Sequence, residues 1–449
     1  MALPTSDLEP TTGEARPITM SGDLASDVSH DLSTDHTRAV ADGAHTHGRG
    51  GTPQSSRAAR LTSFDLADFP VPSGREEEWR FAPVARLVPL FDTHGGGLTG
   101  TGVQVTVVNP HEVEVEIVGR EDPRLGQAGR PGDRTAATAW SSFREATVVT
   151  VPAQAVASAA TSIRVEGTGD ASDDPSAVHL VLWAQPLSEA VVIIDHVGVA
   201  TVSETVEIVA EDGAHLTVVS IHDWARGSVH ASSHRLRLGR DASVKHIVVT
   251  LGGDVVRVTP DAEFTGPGGS LESLGLYFAD AGQHQEHRLF VDHAVESCRS
   301  RVTYKGALQG AGAHTVWVGD VLIRANAEGT DTYELNRNLV LSDGARADSV
   351  PNLEIETGVI EGAGHASATG RFDDEQLFYL RARGIPEADA RRLVVRGFFA
   401  DLIHQIGVPA IEERLTAAID IELERSMSEP STVPAQPLLA DAAAGPVAG

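Results

Sequence analysis

The chain has 449 residues and a formal net charge of -28 at pH 7. So acidic a chain is repelled by nucleic acid and by acidic membrane surfaces, and no Lys/Arg cluster in the sequence offsets the charge. No run approaches the roughly 20 apolar residues of a membrane-spanning helix, and the N-terminus lacks a basic-then-apolar signal pattern. We therefore expect a cytoplasmic protein that binds neither nucleic acid nor membrane.

The chain contains one cysteine, Cys298. One thiol can form neither an internal disulfide nor a four-thiolate metal site. This cysteine usage is typical of a reducing compartment, which agrees with a cytoplasmic location.

The first 59 residues contain no Phe, Tyr or Trp and are rich in Ser, Thr, Asp, Gly and His. They cannot bury enough apolar surface to offset the entropy of an ordered chain, so the composition predicts a disordered tail. Its histidines indicate either metal capture or only a polar tail, and the polar tail is the simpler interpretation. They are His30, His36, His45 and His47.

Short helical patterns broken by prolines follow the tail, and Trp79 is expected to pack this unit onto the body. Strand-like alternation then continues to about Ile360. A loose motif recurs here, in which a turn residue and a small residue lead into an alternating strand. Its copies begin at Gly213, Asp241, Gly268, Gly312 and Gly344. Their spacing of 27 to 44 residues fits stacked coils, but a β-sandwich explains the pattern equally well.

Helical patterns return after Asp373, where acidic residues suit a helix N-terminus and Gly384 suits its end. Two further helices are predicted from Pro386 and from Pro409, each with an apolar stripe that serves either as core or as a docking face. The stripes are Leu393, Val394, Phe398, Leu402 and Ile403, then Ile411, Leu415, Ile419 and Leu423. The expected units are a disordered tail 1–59, a small helical unit 60–95, a β core 96–370, a helical domain 371–427 and a flexible tail 428–449.

A group of histidines lies in the segment from His284 to His293, which also contains His287. The segment has the pattern of a strand, on which residues three apart point to opposite sides. We therefore expect no joint metal site there, and a solvated β surface.

His365 stands alone among small residues between Gly362 and Gly370, immediately before the first C-terminal helix. A neutral imidazole with room around it is a suitable ligand for iron. The alternative is a buried, hydrogen-bonded histidine with a structural role, and the residues by themselves leave both open.

Three phrases of the sequence, YELNRNLVLSDGARADS, PNLEIET and HASATGRFDDEQLFYLRARGI, lie between Tyr333 and Ile385. They resemble the C-terminal region of the SufB/SufD family, the scaffold subunits of the SUF iron–sulfur cluster assembly system. The phrase GREEEWRFAPVARL, from Gly74, is similar to a segment near the start of the SufD branch. The resemblance covers roughly Phe64 to Arg425. It implies a right-handed parallel β-helix flanked by small helical segments.

The resemblance also implies a function. His365 matches a histidine implicated in cluster assembly at the interface of the two scaffolds, and is the metal ligand that we predict. Asn336 stands where the SufB sibling has a cysteine linked to sulfur acceptance, and together with the segment from Gly74 this indicates the SufD branch. Ala363 stands where many relatives have a cysteine, which weakens a site in which both side chains would bind metal. We expect a non-enzymatic scaffold that acts with a SufB-like sibling and a SufC-like ABC-type ATPase. By itself it would bind no cofactor stably, and a transient iron–sulfur cluster or iron would occupy the complex.

Residues expected to contact partners lie in the C-terminal helices. They are Leu377, Phe378, Tyr379, Arg383, Phe398 and Phe399. The sequence contains no phosphate-binding loop of the G-x-x-x-x-G-K-[ST] type, so this chain is not expected to hydrolyse ATP itself. Two alternatives remain at this point: a SufB-like scaffold that carries the cluster itself, and a carbohydrate-active β-helix enzyme, which would need clustered carboxylates on one face.

Overall fold

The computed structural model of the chain describes residues 59–108, 110, 112–169, 174–372 and 374–428. The two predicted tails, with the four N-terminal histidines, lie outside these residues except for Ala59 and Ser428. Within the described part, strands form two nine-stranded sheets that face each other across a narrow interior, which we call the lumen.

Sheet A contains β1 and the even-numbered strands from β4 to β18, and sheet B contains β2 and the odd-numbered strands from β3 to β17. The strands of sheet A are β1 Val103–Val108, β4 Thr161–Thr168, β6 Glu189–Val199, β8 His215–Trp224, β10 Ser243–Thr250, β12 Ser270–Ala279, β14 Arg299–Leu308, β16 Thr330–Val340 and β18 Ile360–Arg371. The strands of sheet B are β2 Glu114–Gly119, β3 Glu145–Val151, β5 Ser176–Ala184, β7 Thr201–Ala210, β9 Val229–Leu238, β11 Val255–Phe264, β13 His284–His293, β15 His314–Ile323 and β17 Arg346–Ile355.

Neighbouring strands are parallel, apart from β1 against β4 and β2 against β3 at the N-terminal end. Each parallel pair joins residues one coil apart, for example Ser243 with Ser270 and Arg299 with Asp331. The chain therefore winds into a parallel β-solenoid of about eight turns, which confirms the predicted β-helix core and excludes the β-sandwich. Asp241 and Gly268, two turn residues of the loose repeat, have φ of 53° and 79°, the left-handed conformation that turn residues such as Gly and Asp tolerate.

The N-terminal unit and one helix cover the outer face of sheet B. This unit contains single turns of 3-10 helix at Leu66–Asp68 and Val88–Leu90 and the short helix α1, Val84–Leu87. Trp79, which belongs to this unit, is buried, and its ring meets the Phe91 ring edge-on, as predicted for a packing residue. Helix α2, Arg134–Ser142, begins after Asp133, whose carboxylate accepts a hydrogen bond from the Ala136 amide at 2.9 Å.

Three helices follow the strands in the described part of the chain, and the last two of them cover the outer face of sheet A. The three are α3 Asp374–Ala382, α4 Glu387–Ile406 and α5 Pro409–Ser428. The whole predicted stripe of α5 is buried in this layer. On α4 the buried face includes Val395, Phe399 and Leu402, whereas Leu393 is 48% exposed, so the stripe predicted there is wrong at Leu393. Among the described helices, none has both the length and the apolar character needed to cross a bilayer.

Candidate functional site

His365 lies on β18, the last strand of sheet A, which pairs only with β16. Its side chain is exposed and makes no hydrogen bond with any residue that the structure describes. Ala363, two positions earlier on the same side of the strand, packs against the lumen core. The imidazole therefore stands at the open end of the lumen. The alternative of a buried, hydrogen-bonded structural histidine is wrong.

Glu334 is the register partner of His365 on β16. It is 1% exposed, and neither carboxylate oxygen has a hydrogen-bond partner among the described residues. Burial, together with the nearby charge of Asp320, raises the pKa of Glu334 to about 8. The buried carboxyl group of Glu334 thus lies one coil before the exposed imidazole of His365, on the side of the solenoid interior.

Asn336 follows on the same inward face of β16 and is fully buried. Its side-chain amide donates to the Tyr277 hydroxyl at 2.8 Å, and that hydroxyl donates to the side-chain oxygen of Asn338 at 2.7 Å. Ser349 on β17 donates to the Asn336 side-chain oxygen. This network closes the last coils of the lumen with satisfied hydrogen bonds, and it contains no thiol.

A second polar cluster lies deeper in the lumen around Glu204, which is completely buried. Its carboxylate is 3.1 Å from His196 Nε2 and 3.3 Å from His230 Nε2, and Ser232 donates to it at 2.7 Å. Burial opposes both charges, but their mutual attraction raises the pKa of His196 and lowers the pKa of Glu204 well below its usual value. The pair is therefore a buried imidazolium–carboxylate ion pair.

Among the described residues, His196, His222 and His230 form the only group of three whose geometry could hold a metal ion, with ligand atoms within 4.8 Å of one another. However, their nitrogens already have protein partners. His222 Nδ1 lies 3.2 Å from His230 Nδ1, which also accepts from the Trp224 indole at 2.9 Å. If Ser220 donates to His222 Nε2, the His222 proton lies on Nδ1 and shares the single lone pair of His230 Nδ1 with the Trp224 indole, so this lone pair is not free for a metal ion.

The histidines of β13 are not on a solvated surface, so that prediction is wrong. His284, His287 and His293 are all buried. His284 and His287 point to opposite sides of the strand, as expected. His287 enters the lumen and stacks on the Tyr277 ring at 4.9 Å, while His284 Nδ1 is 3.2 Å from His314 Nδ1. The prediction failed because His287 and His293 face the lumen, while the N-terminal unit covers the outer face of sheet B that bears His284.

The six residues predicted to contact partners divide into two groups. Leu377 and Phe399 are buried in the chain's own core, and Phe398 is half-buried. Phe378 and Tyr379 are 74% and 56% exposed. Arg383 is also exposed and places its guanidinium 4.7 Å from the centre of the Tyr379 ring. The residues Phe378, Tyr379 and Arg383 therefore form a free aromatic and cationic patch on α3 and the turn after it.

Cys298 is a free, buried thiol that contacts the carbonyl oxygens of Gly266 and Glu296. Burial raises the pKa of this thiol, so it is protonated at neutral pH and is unsuited to bind metal. Cys298 lies in the strand connection before β14. Because it is the single cysteine of the chain, no cysteine accompanies His365 on β18.

Sequence reasoning missed Glu334, Glu204 and His196. A signal was present, because the burial of β16 alternates strictly and one of its two faces carries the polar residues Thr332, Glu334, Asn336 and Asn338. Alternation alone does not show which of the two faces points inward, so the sequence does not reveal that this polar row is buried.

The fold and the end-coil site together define a class: a β-solenoid scaffold with a polar lumen, an exposed histidine on its last coil and a helical outer layer. The family model described as SUF system FeS cluster assembly, SufBD core domain, matches residues 167–398. The chain belongs to the SufBD family of iron–sulfur cluster assembly proteins, which confirms the resemblance found in the sequence.

Individual relatives agree with this assignment. An iron-sulfur cluster assembly SufBD family protein of Mycobacterium tuberculosis is 57% identical over 379 residues, covering 83% of this chain and 94% of that protein. A SufBD family protein of Mycobacterium leprae is 57% identical over 372 residues, covering 81% and 93%. The iron-sulfur cluster assembly protein SufD of Escherichia coli is 29% identical over 206 residues, covering 46% of this chain and 48% of that protein.

Proposed function

We propose that this chain is a SufD-like, non-enzymatic scaffold subunit of a cytoplasmic SUF complex, acting with a SufB-like sibling and a SufC-like ATPase. The observation that carries the proposal is the exposed imidazole of His365 on the unpaired edge of the last coil. The similarity to Escherichia coli SufD supports the branch. The buried Asn336, where SufB carries a cysteine, supports it as well, and so does the inaccessible Cys298.

Strand edges provide the surface for the sibling. Among the described strands, β17 and β18 are terminal in their sheets, and each pairs with another strand on one side only. Such edges template pairing with another chain. Ile355 and Val359, next to these edges, are exposed apolar side chains that a second solenoid would bury. The sibling would thus cover the coil that bears His365.

The C-terminal helices provide the surface for the ATPase. The patch of Phe378, Tyr379 and Arg383 is exposed, whereas α4 and α5 are fixed to sheet A. Lys305 on β14 is buried and donates to the Phe398 carbonyl oxygen at 2.8 Å, and it also forms an ion pair with Asp401. Through Lys305, a displacement of the C-terminal helices would be transmitted directly to β14, which pairs with β16 in the next coil. Iron or a nascent cluster would be the substrate of the assembled complex.

Co-expression with the candidate sibling and ATPase, followed by native mass determination, tests the proposal. We expect a complex containing all three chains. His365→Ala should leave that complex intact but impair cluster assembly, because the imidazole makes no structural hydrogen bond with the described residues. His404→Ala is the matched control, since His404 is a highly exposed histidine on α4. A lone monomer that ignores both partners, or a normal cluster yield from His365→Ala, would contradict the proposal.

A further inference from the structure

A cavity of about 220 Å³ lies between the N-terminal unit and the outer face of sheet B. Phe69 and Trp79 of the N-terminal unit and Phe290 of β13 form its apolar wall. The polar wall comes from strands β9, β11 and β13 and from the start of α2. Leu61 and Glu78, which are exposed, also line the cavity, so it is open to solvent. Its volume is that of about seven water molecules, which is enough for a small organic molecule.

Three largely buried arginines of sheet B line the cavity and leave most of their N–H donors unused. Arg235 on β9 makes one hydrogen bond within the described part of the chain, to a carboxylate of β11. Arg257 on β11 uses two of the five donors of a guanidinium. Arg288 on β13 donates to the Glu77 carbonyl oxygen at 3.3 Å, and its buried Nη1, 3.5 Å from a Glu286 oxygen, makes no hydrogen bond with any described residue. Buried donors are normally paired, so these arginines indicate an acceptor in the cavity.

The guanidinium charges around the cavity exceed what their acidic neighbours balance. Arg60 and Arg235 share one carboxylate, that of Asp261. Arg134, at the start of α2, donates only to backbone carbonyl oxygens among the described residues. Burial lowers the pKa of Arg134, Arg235 and Arg288, because neighbouring acids offset only part of the lost hydration. An anion in the cavity would supply the missing charge.

The other acids that line the cavity are bound or solvated. Asp133 forms an ion pair with Arg257. Glu76 accepts hydrogen bonds from backbone amides of its own turn, and the Asp320 carboxylate accepts one from a side-chain amide of β17. Glu78 is exposed, so water screens its charge. Among the described residues of the lining, a negatively charged ligand would therefore meet arginine N–H groups and no unpaired buried carboxylate.

Aromatic rings of the same cavity hold two of the guanidinium groups in place. The Arg60 guanidinium lies 3.7 Å from the centre of the Phe290 ring, and the Arg257 guanidinium lies 4.3 Å from the centre of the Trp79 ring. Stacking of this kind fixes the plane of the guanidinium and leaves the N–H groups along its edge free to donate to oxygen. Fixed donors beside apolar rings suit an oxyanion that is attached to an apolar group.

We propose that this cavity binds a small organic oxyanion, a carboxylate or a phosphate monoester that carries one apolar ring or chain. Its oxygens accept hydrogen bonds from Arg235 and Arg288. Its apolar part packs against Phe69 and Trp79. The proposal goes beyond the proposed function and does not depend on it, because the cavity lies on β9, β11 and β13 and not on the last coil. Since such a ligand contacts both the N-terminal unit and sheet B, its binding stabilises the contact between them.

Isothermal titration calorimetry of the isolated full-length chain tests the site, with benzoate, phenyl phosphate and inorganic phosphate as anions and benzyl alcohol as the neutral probe. We expect a single site that binds benzoate or phenyl phosphate more tightly than benzyl alcohol or inorganic phosphate. The tighter of the two organic anions identifies the head group. The same anion should also raise the midpoint of thermal unfolding.

Arg235→Gln and Arg288→Gln each remove one guanidinium and keep a polar side chain, so each should lower the affinity 10-fold or more. Thr259→Leu keeps every charge but fills part of the cavity from β11, and it should weaken binding as well. Arg301→Gln is the matched control, because Arg301 forms an ion pair with Asp331 on sheet A and does not line the cavity. Circular dichroism checks that each variant is folded.

Three results would each overturn the proposal. They are no binding of either organic anion at millimolar concentration, binding of benzyl alcohol or inorganic phosphate as tight as that of the organic anions, and unchanged affinity in folded Arg235→Gln and Arg288→Gln variants. The titration needs no partner chain, so its failure would leave the proposed function untouched, and a failure to form the three-chain complex would leave this site untouched.

Discussion

The ring of Tyr304 on β14 lies against the α-carbon of Gly275, its register partner on β12. A Cβ at position 275 would lie 2.5 Å from Tyr304 Cγ and closer still to the ring edge. Because the ring is fully buried, it has no space to move aside. We expect Gly275→Ala to lower the free energy of unfolding by about 1–3 kcal/mol through overpacking, measured by urea denaturation.

The same arrangement recurs in the opposite direction, with the Tyr277 ring against Gly306. Gly306→Ala should therefore destabilise the protein by a comparable amount. Gly119→Ala on β2 is the matched control, since nothing lies within 4 Å of a Cβ there. Equal stability of all three variants would show that the lumen is not close-packed around these rings.

Stability should fall on mild acidification. Burial lowers the pKa of several lumen histidines, to about 4 for His246 and about 3 for His287 and His293. Between pH 6.5 and these values the unfolded chain binds protons that the folded chain excludes, each worth about 1.4 kcal/mol per pH unit. The raised pKa values of His196 and Glu334 act in the opposite direction, but they are outnumbered.

Urea denaturation at pH 7 and at pH 5.5 measures this dependence, and we expect a loss of several kcal/mol at the lower pH. His287→Gln keeps a neutral polar side chain in the lumen. It should reduce the slope of the unfolding free energy against pH by the equivalent of about one bound proton. A stability that is flat or rises between pH 7 and 5.5 would show that the buried histidines are already charged in the folded protein.

Arg257 holds two buried carboxylates on the outer face of sheet B. It forms ion pairs with Asp133, at the start of α2, and with Glu286 on β13, and its guanidinium lies 4.3 Å from the centre of the Trp79 ring. Arg257→Met would leave the buried Asp133 carboxylate without its counter-charge, whereas Glu286 would keep its ion pair with Arg288, so we expect a loss of about 3–5 kcal/mol in urea denaturation. Arg396→Ala, which breaks an exposed pair with Asp420, should cost under about 1 kcal/mol.

Substitutions of Phe399 and of Phe378 should have different effects, because Phe399 packs in the core and Phe378 lies on the patch proposed to bind a partner. Phe399 is fully buried between α4 and sheet A, so Phe399→Ala should cost about 3–5 kcal/mol of stability. Phe378 is exposed, and Phe378→Ala should leave thermal stability unchanged while weakening co-purification of the ATPase. Normal recovery of the ATPase with Phe378→Ala would exclude this patch as its docking surface.

The sequence predicts the turns and the helical faces of the chain well because turn chemistry and helical spacing are local, whereas the choice between stacked coils and a β-sandwich came from the family resemblance. Residues such as Asp241 and Gly268 occupy left-handed turns wherever the loose repeat places them. The helical stripe of α5 is likewise entirely buried. These features depend on neighbours in the chain, so the residues alone are sufficient to indicate them.

The polar lumen is different, because the direction that each side chain faces depends on residues a coil away or more. On β16 the inward residues include Glu334 and Asn336, while Leu339 points outward into the helical layer. The outer face of sheet A accepts apolar side chains because the C-terminal helices cover it, and the lumen accepts Asn336 because β12 supplies Tyr277. Neither partner can be identified by alternation within one strand.

A solenoid is a nearly one-dimensional object in which each coil is stabilised by the coils before and after it. The coil formed by β17 and β18 has such a neighbour on one side only, and neither strand contains a buried residue. Opening it breaks one inter-coil interface, whereas opening a central coil breaks two, so local unfolding should cost least where His365 lies. Any chain that pairs with this edge would supply the missing interface, and ordering of the site would then be coupled to the concentration and affinity of that partner.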